Sequence, residues 1–298
     1  YMDIDSLTLH SYAKVNLTLE VSGLRPDGFH DIDSIAQIID IRDVLTLSRD
    51  DDGIIEVVTE RGDAPSGRDN TVYKACMSFF EATGVRGGVR CRLTKSIPAQ
   101  AGLGGGSGNA AAAIAGLSKL YGCGLSAERL ASIAAQVGSD APLFIYGGTV
   151  RMSGRGEQIE PLADAPELHL VVVKPDVGVS TPWAYRALDQ SDIARTVGSS
   201  DAAERAIRRG DRAALVQCLS NDFDPVVTAS TAEIATAKEL LLRAGAGAAV
   251  LCGSGSAVFG VFDGPEAAAR VANELKPRFA HVFATRTLRR SESALAAV

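Results

Sequence analysis

One run, Gly102-Leu103-Gly104-Gly105-Gly106-Ser107-Gly108-Asn109, constrains this chain more than any other part of it. Glycine admits positive φ and lets the backbone approach a ligand with no Cβ in the way. Residues 110–121 follow at once as a strong helix former, with Ile114, Leu117, Leu120 and Tyr121 on one face. Free N–H groups and the positive end of the helix dipole would then point into the loop, which makes an anion site, most often for phosphate. Ser107 stands where a hydroxyl reaches a phosphate oxygen or a metal ion. The plain rival is a tight structural turn.

Other glycine loops fit less well. A P-loop ends in Gly-Lys-Ser/Thr, and the chain has no Gly-Lys dipeptide. Residues 106–111 satisfy the loose G-x-G-x-x-A dinucleotide pattern, but Glu128, the acidic residue at the expected distance, lies in a helix-like run over 126–137. Pro98-Ala99-Gln100-Ala101 precedes the loop where that pattern needs a hydrophobic strand.

Charge bears on the same point. The 298 residues carry 30 basic and 36 acidic side chains, a net charge of −6, so an anion would be held by local backbone dipoles. No basic patch is present, which argues against nucleic acid or an anionic membrane as partner. No apolar run approaches the ~18 residues of a membrane span, and no signal peptide is read before the first strand. Cys76, Cys91, Cys123, Cys218 and Cys252 are odd in number and form no CxxC pair. That excludes a disulfide framework or zinc ribbon and suits a reducing, cytoplasmic setting.

The hydrophobic pattern predicts an α+β protein of two domains, 1–165 and 166–298, in close contact. Leu7, Leu9, Val15, Leu17, Leu19 and Val21 alternate with other residues as in a half-buried strand. Further strands are predicted over 32–39, 44–47, 54–59, 89–93, 168–173, 250–252, 257–262 and 281–284. A helix is predicted with Asp69 or Asn70 as its N-cap, running to about Thr83 and ended by Gly84, and others over 182–188, 202–208, 212–219, 232–243 and 265–275.

Three short segments carry polar groups suited to chemistry. Lys14 and Asn16 lie on one side of a strand, where they either neutralise a phosphate and orient a hydroxyl or form a solvated face. In Gly138-Ser139-Asp140-Ala141-Pro142, Asp140 either caps the chain through an Asx hydrogen bond or acts as a general base. Gly253-Ser254-Gly255-Ser256-Ala257 is a second glycine turn, a hairpin or another close backbone approach.

Taken in order, 13–17, 98–107 and 253–255 resemble the three motifs of the GHMP kinase superfamily. Arg25-Pro26-Asp27-Gly28-Phe29-His30, residues 138–142 and Ser220-Asn221-Asp222 resemble, within it, the branch acting on a cytidine-diphosphate-linked methylerythritol in non-mevalonate isoprenoid synthesis. The resemblance spans about Ser11 to Gly260. It implies a two-domain GHMP kinase architecture with mixed sheets and an active site in the interdomain cleft. The implied reaction moves the γ-phosphoryl of ATP, with Mg²⁺, onto the 2-hydroxyl of the substrate. Asp140 matches the family's catalytic aspartate and Lys14 its cationic partner. Pro98, Gln100, Ala101, Gly102, Leu103, Gly104, Gly105, Gly106, Ser107 and Gly108 match the ATP-binding segment, with Ser107 near the β/γ-phosphates or the metal. Asn16, Phe29, His30, Thr181 and Tyr185 match substrate contacts, the cytosine lying against Phe29 and Tyr185 and bonded by His30. The chain departs from the family's usual pattern at Gly108, where a second Ser is common, at Phe29 for Tyr, and at Ala36 for an aromatic. Trp183, the single Trp, stands close enough to Tyr185 to rival it as the stacking ring.

A mevalonate- or homoserine-type kinase would share the glycine loop but has no use for the Asp27-Gly28-Phe29-His30 segment. A nicotinamide-dependent oxidoreductase and a non-catalytic nucleotide sensor fit less well, the first for its misplaced acidic residue and the second because a sensor needs no base. The chain is expected to work as a monomer or weak homodimer on a small-molecule substrate.

Overall fold

Alternation in the first fifty residues builds two very long strands. The structure, a computed structural model, describes residues 5–297. The two ends of the expected domain ranges, residues 1–4 and 298, lie outside the described residues. Strand β1 runs Ser6–Leu24 and β2 His30–Asp50, paired antiparallel along nearly their whole length. β2 was expected as two strands. It is one because its far edge is shared by β4 (Gly88–Thr94) toward one end and β5 (Thr149–Ser153) toward the other. β3 (Ile55–Arg61) and β6 (Gln158–Pro161) extend these edges, β3 pairing β4 in parallel. With β8 (Ser220–Asn221) parallel to β1, they form a mixed seven-stranded sheet.

Four helices cover one face: α1 (Thr71–Thr83), α2 (Gly105–Leu120), α3 (Ala127–Ala134) and α4 (Ala141–Tyr146). Of the two N-caps read for α1, Asp69 and Asn70, the structure uses Asn70, and the helix ends where expected. Asn70 accepts a hydrogen bond from the Val72 N–H, and Gly84 closes the helix at φ 68°. α2 differs from expectation in two ways. It starts at Gly105, inside the glycine run, and it is buried on every side from Gly108 to Ser118 rather than along one apolar face. Small residues allow that approach: a Cβ on Gly116 would sit 2.5 Å from side-chain atoms of Leu9 and Leu47.

The second sheet, β11-β7-β10-β9, is antiparallel throughout. It comprises β7 (His169–Lys174), β9 (Ala248–Leu251), β10 (Val258–Phe262) and β11 (His281–Arg286). Leu170 and Val172 face the first sheet, while Val171 and Val173 face helices α9 (Ala232–Arg243) and α10 (Pro265–Leu275). Helices α5 (Thr181–Asp189), α6 (Ser199–Arg208), α7 (Arg212–Cys218) and α8 (Phe223–Ser230) pack around the junction, and a short α11 (Arg290–Ser293) follows β11.

A register shift between Tyr12 and Ala13 in β1 decides where Lys14 points. Before it, Leu9 packs under the helices. After it, Ala13, Val15 and Leu17 enter the core between the sheets. The shift leaves Asp40 and Ile41 of β2 without partners in β1, and beyond it Lys14 and Asn16 lie on the face opposite Ala13, Val15 and Leu17, the side on which Asp140 stands.

Candidate active site

The glycine run folds into a turn and then a helix start. Gly102 and Gly104 hold φ values of 75° and 71°, and Gln100 is a non-glycine at 51°. A Cβ on Gly102 would fall 1.9 Å from the carbonyl oxygen of Cys252. The first helical bond of α2 is Gly108 N–H to Gly104 O at 2.9 Å, so the N–H groups of Gly105, Gly106 and Ser107 precede any such bond. They border a cavity of about 380 Å³ that is also lined by Asn70, Lys95, Pro98, Gln100, Ala101 and Leu103. Amides without an intrahelical partner, bordering a cavity with Lys95 on its wall, make a place suited to an anion such as a phosphate.

Lys14 lies behind this loop. Its N–H donates to Leu103 O at 2.9 Å, and its ammonium, 5% exposed, donates to Asn16 Oδ1 at 2.8 Å. Asn16 Nδ2 in turn donates to Ser34 Oγ at 2.8 Å. The Lys14 ammonium stands 3.6 Å from Asp140 Oδ2. A lysine this buried needs such partners, because an unpaired charge out of water is costly. Asp140 occupies the N-cap position of α4 but its side chain makes no capping hydrogen bond, which disposes of the Asx-cap alternative. Ser107 faces the same turn: a Cβ on Gly138 would lie 4.0 Å from its Oγ.

The second glycine turn joins β9 to β10 as a hairpin and also closes on the first loop. Ala257 N–H donates to Ala101 O at 3.1 Å, and a Cβ on Gly253 would lie 3.5 Å from the Lys14 ammonium. Both alternatives for this turn therefore hold together. Cys252 beside it is pushed up to about 12 by burial, with Lys14 opposing.

A larger cleft of about 900 Å³ opens beyond Asp140, and Gly102 and Gly104 line both cavities. Residues from both sheets' halves of the chain form its walls. Lys14, Asn16, Phe29, His30, Thr181 and Tyr185 all border it, whereas Trp183 does not. Thr181 Oγ1 lies 2.8 Å from Ser254 Oγ. Phe29 is half exposed, with the Arg155 guanidinium 4.7 Å above its ring. His30 stacks on Tyr185 at 4.8 Å, and burial, then the charge of Asp140, pushes the Tyr185 hydroxyl up.

Comparison with known proteins settles the family. GHMP kinases N terminal domain matches residues 70–148, and GHMP kinases C terminal matches 203–281. The 4-diphosphocytidyl-2-C-methyl-D-erythritol kinase of Moorella thermoacetica is 43% identical over 287 residues, 96% of this chain and 100% of the relative. That of Pelotomaculum thermopropionicum is 41% identical over 281 residues, 94% of this chain and 98% of its own. The chain belongs to the 4-diphosphocytidyl-2-C-methyl-D-erythritol kinase family of GHMP kinases. A solved 4-(cytidine 5'-diphospho)-2C-methyl-D-erythritol kinase superposes with a TM-score of 0.79 at 31% identity, covering 94% of this chain and 99% of the other. The homoserine kinase of Cytophaga hutchinsonii, 20% identical with a TM-score of 0.78 over 97% of this chain and 96% of its own, shares the fold.

Two features of this family member were not apparent from sequence. Asp43, fully buried, accepts from Ser96 N–H, Ile97 N–H, Lys95 and Asn109 Nδ2, and so ties the strand before the loop to the first turns of α2. Its partners are scattered along the chain, and the only signal was a charged residue within an apolar strand. Asp189, which bonds His30, carried no signal at all. At Gly108, where a second Ser is common in the family, a Cβ would meet Ser11 Oγ and Tyr12 O, both at 2.9 Å, so this chain has little room for one.

Proposed function

We propose that this chain transfers the γ-phosphoryl of ATP to the 2-hydroxyl of 4-diphosphocytidyl-2-C-methyl-D-erythritol. The observation that carries this is the Lys14–Asp140 pair, 3.6 Å apart on the wall of the larger cavity, with Lys14 packed against Gly104, which lines both cavities. The smaller cavity takes the triphosphate and the larger one the acceptor. Asp140 accepts the proton of the acceptor hydroxyl as its oxygen bonds the γ-phosphorus. The bond from that phosphorus to the β–γ bridging oxygen breaks, and ADP leaves. Lys14 places positive charge beside the acceptor oxygen, and Asn16 orients the ammonium. Because phosphoryl transfer is chiefly positioning and charge stabilisation, these groups and the amides of residues 102–108 suffice.

Among the described residues no three His, Cys, Asp or Glu side chains gather closely enough to hold a metal ion. Mg²⁺ keeps several waters and takes substrate phosphates as ligands, so the single Ser107 hydroxyl fits as its protein contact. When bound it neutralises charge on the β- and γ-oxygens.

At the far end of the cleft, Phe29 and Tyr185 supply flat surfaces for the cytosine and His30 a polar edge, with Thr181 nearer the alcohol. The accompanying division at 165/166 is supported by the change of sheet between β6 and β7. The enzyme acts as a monomer or weak homodimer in the cytoplasm. ADP release assayed with the diphosphocytidyl alcohol, mevalonate and homoserine tests the proposal. Turnover is expected with the first, and a preference for either of the others would overturn it.

A further inference from the structure

His30 is almost enclosed, its side chain 7% exposed, and its Nε2 lies 2.9 and 3.1 Å from the two carboxylate oxygens of Asp189 at the end of α5. Asp189 is itself held from behind. Arg195 Nη2 donates to Asp189 Oδ1 and to Leu188 O, each at 3.2 Å. The imidazole plane is fixed by Tyr185, which stacks on it at 27° and meets Phe223 edge-on at 4.8 Å. Among the described residues Nδ1 has no protein partner, and it is not one of the buried polar atoms left without one, so it opens into the cleft that His30 lines. An ionised carboxylate only accepts. Nε2 therefore carries the proton, and in the neutral ring Nδ1 is a bare acceptor.

We propose that Asp189 is a positioning residue that sets base selectivity. By holding the Nε2–H tautomer of His30 it presents an acceptor to the base. The exocyclic amine of cytosine donates to that acceptor. Uracil has a carbonyl oxygen at the same place, so two acceptors would face each other and neither would find a donor in its partner. A site built to pair one polar group discriminates strongly against an analogue that leaves its own group unpaired. The inference rests on the substrate reading above and adds the residue that enforces it.

The test compares cytidine- and uridine-diphosphate-linked methylerythritol as substrates for the wild type and for Asp189→Leu, Asp189→Asn and His30→Ala, together with ¹⁵N NMR of the histidine rings. The wild type should favour the cytidine substrate by about 10²-fold in kcat/KM. Asp189→Leu should lose most of that preference through KM, with kcat within about threefold and ADP affinity kept, since the nucleotide cavity is untouched. Asp189→Asn retains an oxygen that Arg195 holds toward Nε2 and should keep most of the preference. In the His30→Ala background, Asp189→Leu should add nothing. NMR should show His30 protonated at Nε2 alone, and a tautomer mixture in Asp189→Leu. An undiminished cytosine preference in Asp189→Leu, or a wild-type ring protonated at Nδ1, would overturn the inference while leaving the substrate reading intact. Wild-type turnover of neither nucleotide-linked alcohol would instead remove the substrate reading, and base selectivity with it.

Discussion

Asn221 holds Gly253 from the far side of the site: its Nδ2 donates to the Gly253 carbonyl at 2.7 Å and to that of Leu251 at 2.8 Å. Asn221 belongs to the two-residue β8 beside β1, so the turn that closes on Lys14 is hung from the sheet that carries Lys14. Asn221→Ala leaves two carbonyls without their donor at a position 5% exposed. Denaturant melts should show a loss of about 1–3 kcal/mol, and turnover should fall with it. An unchanged midpoint would mean that water replaces the amide.

Asp140→Asn keeps the shape of the site and removes the proposed proton acceptor. Turnover should drop by about 10²–10⁴-fold while ADP affinity, measured by calorimetry, stays near wild type. Lys14→Met should cost about 10²–10³-fold in kcat. Near-normal turnover in either variant would strip that residue of its assigned part in the transfer.

Gly102→Ala combines a left-handed φ with a Cβ placed inside van der Waals contact of the Cys252 carbonyl. The φ term alone is about 1–2 kcal/mol, and the backbone overlap adds to it because neither loop can yield cheaply. The variant should lose both thermal stability and ATP affinity. Gly122→Ala has a comparable φ of 62° but open space around the Cβ, so it should lose only the conformational part and keep activity.

Tyr185→Ala should raise the KM for the cytidine substrate about tenfold or more and leave the KM for ATP alone. Trp183→Ala should change neither much, because Trp183 does not border the cleft. The reverse pattern would transfer the stacking role to the tryptophan.

Acid should act through Glu20. Burial opposes its charge, but Ser200 N–H, the Ser199 hydroxyl and Gly198 N–H at the start of α6 hold its carboxyl below the ordinary 4.5. A depressed folded value means the stabilisation is complete above pH 4.5 and disappears as pH falls through the folded value. Melting temperatures of wild type and Glu20→Gln should differ most near neutrality and converge as pH falls below the folded value of the carboxyl. A constant gap across that range would show that the carboxyl does not sense the fold.

The sequence made some of this legible for identifiable reasons. The ends of α1 are marked by local hydrogen bonding at Asn70 and by the φ of Gly84, both properties of a few adjacent residues. The start of α2 was not, because glycine costs about 1 kcal/mol per helical position, and the close packing of Gly105 against Ile97 and Lys95 and of Gly108 against Ser11 and Tyr12 forms only in the fold. α4 was hidden by Pro142 next to Gly138, which together look like a turn, although proline suits a first helical turn. Lys14, Asp140 and the two glycine turns stood out as motifs. The Asp43 and Asp189 contacts did not, since each depends on partners brought together only by tertiary packing.

The shared strand β1 has one more effect. Leu9 belongs to the helix-covered core, Ala13, Val15 and Leu17 to the core between the sheets, and Leu19 and Val21 to the core beyond the second sheet. A backbone break within those thirteen positions would open three interiors at once, so the halves of the molecule cannot be expressed apart, or swapped between relatives, with the cut placed there. The strand that delivers the ammonium is also the spine on which the whole chain is threaded.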